Sequence, residues 1–265
     1  MKVGFFQFYP KLKDVEYNFT KIKDTLEGLN ADLIVLPELA LSGYNFLSKN
    51  ELKPVAERCM NLSDEFKNLA KRKDMLIIVG LPEICENKIY NSAFAFLPNG
   101  EIKIYRKLHL FYYEKELFEP GNKDLFVFEY NGVRIGMMIC FDWFFPEVTR
   151  ILALKGADII VHLTNLVLPY AQRVMPIRAL ENRVYVVLAN RFGEEKNGDR
   201  VFKFTGKSII ADIDGEILAN AGEEEETIKI VEIDPLKARN KQINKYNNLF
   251  KDRRVEFYKE ICIQR

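Results

Sequence analysis

Apolar positions recur with two different periods along the 265 residues, and they divide the chain into short strands and longer helices. Residues 3–8 read as a strand. Over 14–30, Val15, Phe19, Ile22, Leu26 and Leu29 return every three or four positions and predict one apolar helix face. Residues 33–36 are a continuous apolar strand that runs straight into Pro37-Glu38. A helical region over 51–73 leads to a buried strand at 75–79. Asn99-Gly100, Asn131-Gly132 and Asp214-Gly215 carry the positive φ angles of two-residue hairpins. They predict the pairs 89–97 with 102–105, 125–128 with 133–139, and 207–213 with 216–218.

The run 133–139 organises the rest. It is mostly apolar and bounded by a turn, so it reads as a strand buried on both faces. Cys140 ends it, and Pro146-Glu147 opens a helix that runs to Gly156. A strand over 158–161, a helix over 169–183 and a strand over 184–189 continue the alternation. Tyr170, Val174, Ile177 and Leu180 are the expected inner face of that helix. A late strand over 227–233 ends at Asp234-Pro235, and the tail 236–265 is charged, partly helical and without a core of its own. No linker or repeat interrupts the chain. Hairpins mixed with helical crossovers predict a single α/β domain over 1–265, two sheets packed together with helices outside.

Composition narrows the partners. Hydrophobic residues make up 48% and charged residues 29%, as in ordinary globular chains. The net charge of +1, from 39 basic and 38 acidic residues, gives no field for nucleic acid or an anionic membrane. No apolar run reaches the roughly 18 residues of a membrane span. Cys59, Cys85, Cys140 and Cys262 are scattered, and a strand-like run follows Met1-Lys2 at once, so reduced thiols in a cytoplasm are expected. The acids at 223–226 read as a solvated turn. His109 and His162 are the only histidines, too few for most zinc sites without carboxylate help.

Three strand or turn ends place ionisable groups in apolar surroundings: Glu38, Lys107 and Cys140. Desolvation would raise the Glu38 pKa towards that of a useful base. Lys107 would supply a fixed charge for an oxyanion, and a thiol beside it would ionise more readily than a free one. Cys140 stands at a strand-to-helix turn, as the nucleophile of a serine hydrolase does, although G-x-S-x-G is absent. Each has an ordinary alternative: exposed ion pairs for Glu38 and Lys107, core packing for Cys140. Trp143, Phe144, Tyr112 and Tyr113 would make an aromatic mouth, with Asn165 and Leu166 as further walls. Arg173 or Arg191 could hold a substrate carboxylate, with a structural ion pair as the alternative.

Three segments resemble the signatures of the nitrilase superfamily of carbon–nitrogen hydrolases: Leu36-Pro37-Glu38-Leu39, Tyr105-Arg106-Lys107-Leu108-His109, and Cys140-Phe141-Asp142-Trp143-Phe144-Phe145-Pro146-Glu147. The likeness continues through Phe118-Glu119-Pro120-Gly121 and residues 178–183. The branch it looks most like is the thermophilic, archaeal-type aliphatic nitrilases.

That resemblance implies a four-layer α-β-β-α sandwich and a Cys140, Glu38, Lys107 triad acting on a small nitrile or amide through a thioester. Phe141 would lend its backbone N–H to the developing charge. Glu114, with Glu116 as its rival, would position Lys107. The implied assembly is a homodimer that pairs across the helices after Pro146 and over 178–183, with residues 250–254 of the tail reaching across. An ω-amidase and an N-carbamoyl amine hydrolase stay open on the same triad. From other classes, a glycoside hydrolase using Glu38 and Glu114, or a silent binding module, would leave Cys140 without a task.

Overall fold

The strand expected over 133–139 forms with those bounds, and its neighbours on both sides bury it within a sheet. The computed structural model describes residues 1–263, so the last two residues of the predicted tail, 264 and 265, lie outside the described residues. The chain begins with β1 (Lys2–Gln7), α1 (Val15–Glu27), β2 (Leu33–Val35), α2 (Lys49–Asn61) and α3 (Ser63–Lys73). β3 (Leu76–Cys85), β4 (Lys88–Phe96), β5 (Ile102–Arg106) and the one-turn α4 (Glu114–Leu117) follow. Then come β6 (Val127–Tyr130), β7 (Val133–Ile139), α5 (Pro146–Leu154), β8 (Ile159–Leu163), α6 (Ala171–Asn182) and β9 (Tyr185–Ala189). The last strands are β10 (Phe192–Asn197), β11 (Arg200–Thr205), β12 (Ile209–Ala211), β13 (Ile217–Asn220) and β14 (Thr227–Glu232).

Two six-stranded sheets result, in the orders β14-β1-β2-β3-β4-β5 and β13-β12-β9-β8-β7-β6. Side chains alternate across each strand, so the two faces of a sheet serve different cores. Val3, Phe5, Val35 and Ile78 of the first sheet share one core with Ile135, Met137, Val161 and Val187 of the second. Phe6, Ile34, Ile77 and Phe94 face the other way, onto Ile22, Leu26, Ala56 and Phe66 of α1 to α3. α5 and α6 cover the far face of the second sheet, which completes the order helices, sheet, sheet, helices. Each fully buried large apolar side chain contributes about 1.5–3 kcal/mol, and both cores hold many.

β1, β2 and β3 run parallel, and two antiparallel steps through β4 return β5 to the same direction. β7, β8 and β9 are also parallel. Glu38 follows β2, Lys107 follows β5, Cys140 follows β7 and Asn165 follows β8. All four therefore lie beyond carboxyl ends of strands, where open α/β sheets form their crevices.

Hairpins form at all three expected turns, but only Asn131-Gly132 has positive φ at both residues, while at the other two only Gly100 and Gly215 do; the strand expected at 125–128 begins two residues late. A fourth hairpin joins β3 to β4 through Glu86 and Asn87, both at positive φ without a glycine to announce it. The β10–β11 hairpin, likewise unforeseen, forms a separate two-stranded ribbon. The helical region over 51–73 is two helices that meet at Leu62.

The inner face expected for the helix over 169–183 is wrong except at Val174, which is partly buried against the core. Tyr170, Ile177 and Leu180 are 47%, 55% and 49% exposed, while Ala171, Met175, Ala179 and Asn182 are buried. The small alanines let α6 lie close on the sheet, and the larger apolar stripe is turned outward. In the tail, the helical content is short 3-10 turns at Pro235–Arg239, Val255–Phe257 and Lys259–Cys262.

Candidate active site

Glu38 reaches its place because the chain leaves β2 across the back of β3. A Cβ on Gly80 would lie 2.5 Å from the Glu38 Cα, so only glycine there admits the Pro37-Glu38-Leu39 backbone. The Glu38 carboxylate is fully buried. Its Oε1 accepts from Lys107 Nζ at 2.6 Å and from Asn91 Nδ2 at 2.7 Å. Its Oε2 has no protein partner. Burial, reinforced by Glu114 and opposed by Lys107, pushes its pKa up to about 7, as expected for a base.

Lys107 is as deeply buried as Glu38. Arg106 anchors the strand end that carries it, pairing bidentately with Glu83 at 2.5 and 2.9 Å. Lys107 Nζ lies 2.8 Å from both oxygens of Glu114. Burial would lower the Lys107 pKa, but the charges of Glu114 and Glu38 outweigh it and hold the ammonium above the usual lysine range. Glu114 also accepts from the Phe111 N–H at 3.0 Å and from the Tyr44 hydroxyl at 2.8 Å. Glu116, its rival, is exposed.

Cys140 opens a 3-10 turn, Cys140–Phe144, with a φ of 38°, the left-handed region that a β-carbon disfavours. Two partners hold this bend. His162 Nε2 donates to the Cys140 carbonyl at 2.9 Å, and the Asp142 carboxylate accepts from the Ile139 N–H at 2.9 Å. Asp142 also accepts from Tyr105 at 2.7 Å and from His109 Nδ1 at 2.8 Å, tying the Cys140 turn to the strand that carries Lys107. Burial drives the His162 pKa down to about 4, so the ring is neutral with its proton on Nε2.

The expected easy ionisation of Cys140 is corrected. Burial pushes the thiol well up, Glu38 and Glu114 add to that, and Lys107 only partly offsets them. The charges of Glu38, Lys107 and Glu114 all act on this sulfur.

A cleft opens beside Cys140, lined by Phe111, Phe141, Trp143, Phe144, Asn165 and Leu166, with about 40 Å³ of free room. That is roughly three times what one water needs. The walls are apolar apart from Asn165, whose side-chain oxygen and nitrogen are both buried without a partner. Tyr113 is not among the lining residues, because its ring is held against the Arg200 guanidinium, 3.6 Å from the ring centre. Arg191 is buried on Glu195 at 2.6 Å, so it is a structural ion pair, and Arg173 is exposed on α6. Among the described residues no group of histidine, cysteine and carboxylate side chains is spaced to hold a metal.

Asn91, Tyr44 and Gly80 carry this geometry without having drawn notice as site residues. A lone asparagine inside the apolar strand 89–97 was the one available signal, since buried polar groups seek partners.

Comparison with known proteins agrees with the layered fold. The carbon-nitrogen hydrolase family profile matches residues 2–241. A protein of Pyrococcus abyssi named nitrilase is 45% identical over 263 residues, covering 97% of this chain and 99% of that protein. An (R)-stereoselective amidase of a Pseudomonas species is 31% identical, covering 96% and 92%. The crystal structure of a carbon-nitrogen hydrolase from Helicobacter pylori superposes with a TM-score of 0.90 at 24% identity, covering 100% of this chain and 99% of that one. The chain belongs to the carbon-nitrogen hydrolase family, within the nitrilase superfamily of enzymes.

Proposed function

We propose that the protein hydrolyses the carbon–nitrogen bond of a small aliphatic amide or nitrile through Cys140, Glu38 and Lys107. The observation that carries this reading is the Glu38 carboxylate. One of its oxygens is pinned by Lys107 and Asn91, while the other is buried and unpartnered, and its pKa lies near neutrality.

The thiol is neutral at rest, so its proton passes to Glu38 as the sulfur attacks the carbonyl carbon. Lys107 and the Phe141 N–H hold the negative charge that develops on oxygen, or on nitrogen for a nitrile. For an amide, Glu38 returns the proton to the leaving nitrogen, the carbon–nitrogen bond breaks and ammonia departs from a thioester; a nitrile first gives a thioimidate, which takes up one water before ammonia leaves and the thioester forms. Glu38 then takes a proton from water, whose oxygen attacks the thioester and releases the carboxylic acid and the thiol. Glu114 keeps Lys107 in place. This route calls for no metal or organic cofactor.

The cleft favours a short acyl group. Apolar walls suit an alkyl chain, and the unpartnered Asn165 amide suits one neutral hydrogen-bonding group on it. Among the described residues no lysine or arginine lines the cleft and Lys107 is already paired with Glu38 and Glu114, which favours neutral amides over dicarboxylate monoamides. Ammonia release from short amides, nitriles, ω-amides and carbamoyl amines tests the reading, together with mass detection of an acyl adduct on Cys140. Absence of turnover and of any adduct across that set would overturn it.

The exposed stripe of Tyr170, Ile177 and Leu180 on α6, continued by Ile151 and Leu154 on α5, favours a homodimer across this face. Free thiols at Cys59, Cys85, Cys140 and Cys262 suit a reducing compartment such as the cytoplasm.

A further inference from the structure

The β10–β11 ribbon sends one charged side chain towards the cluster. Glu195 is 2% exposed and lies 151 residues from the turn it grips. Its Oε2 accepts from two successive backbone N–H groups, Tyr44 at 2.8 Å and Asn45 at 2.6 Å. Its Oε1 accepts from Arg191 Nη1 at 2.6 Å. Gly43, at φ 74°, turns those N–H groups onto one oxygen, and a Cβ there would lie 2.9 Å from Glu195 Oε1. The turn is thus an anion-binding nest filled by a carboxylate of the same chain. The Asn45 side chain adds bonds to the carbonyls of Glu195 and Arg200, at 3.2 and 2.8 Å.

What the nest fixes is Tyr44. Its ring stands edge-on to Phe202 and Phe204 of the same ribbon, at 5.5 and 5.9 Å between centroids. Its hydroxyl donates at 2.8 Å to the Glu114 oxygen that Lys107 also reaches. Burial holds the phenol far above its usual pKa, so it remains a donor. Three contacts therefore link Glu195 to the ammonium: nest to Tyr44, Tyr44 to Glu114, and Glu114 to Lys107.

We propose that Glu195 is a positioning residue for the Glu114–Lys107 pair, acting through Tyr44. The inference rests on the hydrolase reading for its kinetic form, but the linkage itself is a property of the cluster. Losing one hydrogen bond to a charged group is worth about tenfold or more, because such bonds are the strong ones. The chain of contacts requires that removing either member costs the same thing once.

The test is a double-mutant cycle with Tyr44→Phe and Glu195→Gln, read by kcat and KM on a short amide and by the pH dependence of Cys140 alkylation with iodoacetamide. Each single variant should lower kcat about tenfold with KM within about twofold, and the double variant should be no worse than Tyr44→Phe. The alkylation midpoint should move by the same amount in both singles and in the double. Thermal melting reports folding, and Glu195→Asp, which keeps the charge but retracts it, carries the same cycle if Glu195→Gln does not fold. Effects that multiply in the double variant, or a Glu195→Gln protein with unchanged kcat and alkylation profile, would overturn the proposal. If the wild-type protein turns over no amide or nitrile, the hydrolase reading fails, and the alkylation cycle still decides the linkage.

Discussion

Lys107 Nζ and Glu38 Oε1 lie 2.6 Å apart with neither side chain exposed, and the same ammonium also serves Glu114. One buried cation thus faces two buried carboxylates. A buried pair is costly to break from one side, because the remaining charge keeps its desolvation penalty without its partner. Lys107→Met should therefore destabilise the fold by about 3–5 kcal/mol, and adding Glu38→Gln should recover part of that loss. Chemical denaturation of the two variants measures the difference. Equal stability of the wild type and Lys107→Met would show that the ammonium is not needed to hold the carboxylates.

The pH dependence follows from Glu38. In the proposed mechanism its carboxyl must be unprotonated to accept the thiol proton, and its pKa is raised to about 7. Acylation of Cys140 should rise through pH 7 and fall as the solution becomes more acidic. Glu38→Gln should abolish both that limb and turnover. Single-turnover rates across pH 5 to 9, the span about two units either side of that pKa, would reveal it.

The His162 pKa is shifted the other way, and it bears on stability. The unfolded ring titrates near pH 6.5, whereas the folded ring resists protonation down to about 4. The unfolded state thus binds more protons between those values, and stability is lost as the pH falls through that window. The slope is about 1.4 kcal/mol per pH unit. His162→Gln should flatten it, which urea unfolding at pH 4, 5, 6 and 7 would resolve.

Asn165 is expected to choose among substrates. Replacing it with leucine should lower kcat/KM about tenfold for a short amide with a hydrogen-bonding tail and leave a plain alkyl amide little changed. A uniform loss on both would place Asn165 in the common chemistry instead of in selection.

The outward stripe of α6 gives a prediction about assembly. Ile177→Glu together with Leu180→Glu puts two charges on the exposed apolar face without touching the buried Ala171, Met175 and Ala179. Solution mass should fall to that of a single chain. A wild-type protein that is already monomeric at micromolar concentration would refute the dimer.

What could be read in the sequence depended on how local its cause was. The strand 133–139 and the three glycine-marked hairpins depend on neighbours in the chain, and their signals survive in a single sequence. α6 could not be oriented that way. Its apolar stripe says that one face seeks cover, and two alanines on the other side decided which face met the sheet. Site residues divide likewise. Glu38, Lys107 and Cys140 stand at strand ends within recognisable segments. Gly80, Asn91 and Glu195 act on those segments from 42, 53 and 157 positions beyond Glu38, with no local pattern to mark them. The raised thiol pKa was missed because it comes from summed burial and two carboxylates, which only three dimensions reveal.

Glu38 and Lys107 hang from one sheet and Cys140 from the other, with Tyr105 and Asp142 bonded across the gap. Before the two sheets dock, the Cys140 thiol has neither that carboxylate nor that ammonium nearby, nor the burial that raises its pKa. The titration of that one sulfur becomes a gauge of whether the halves have come together.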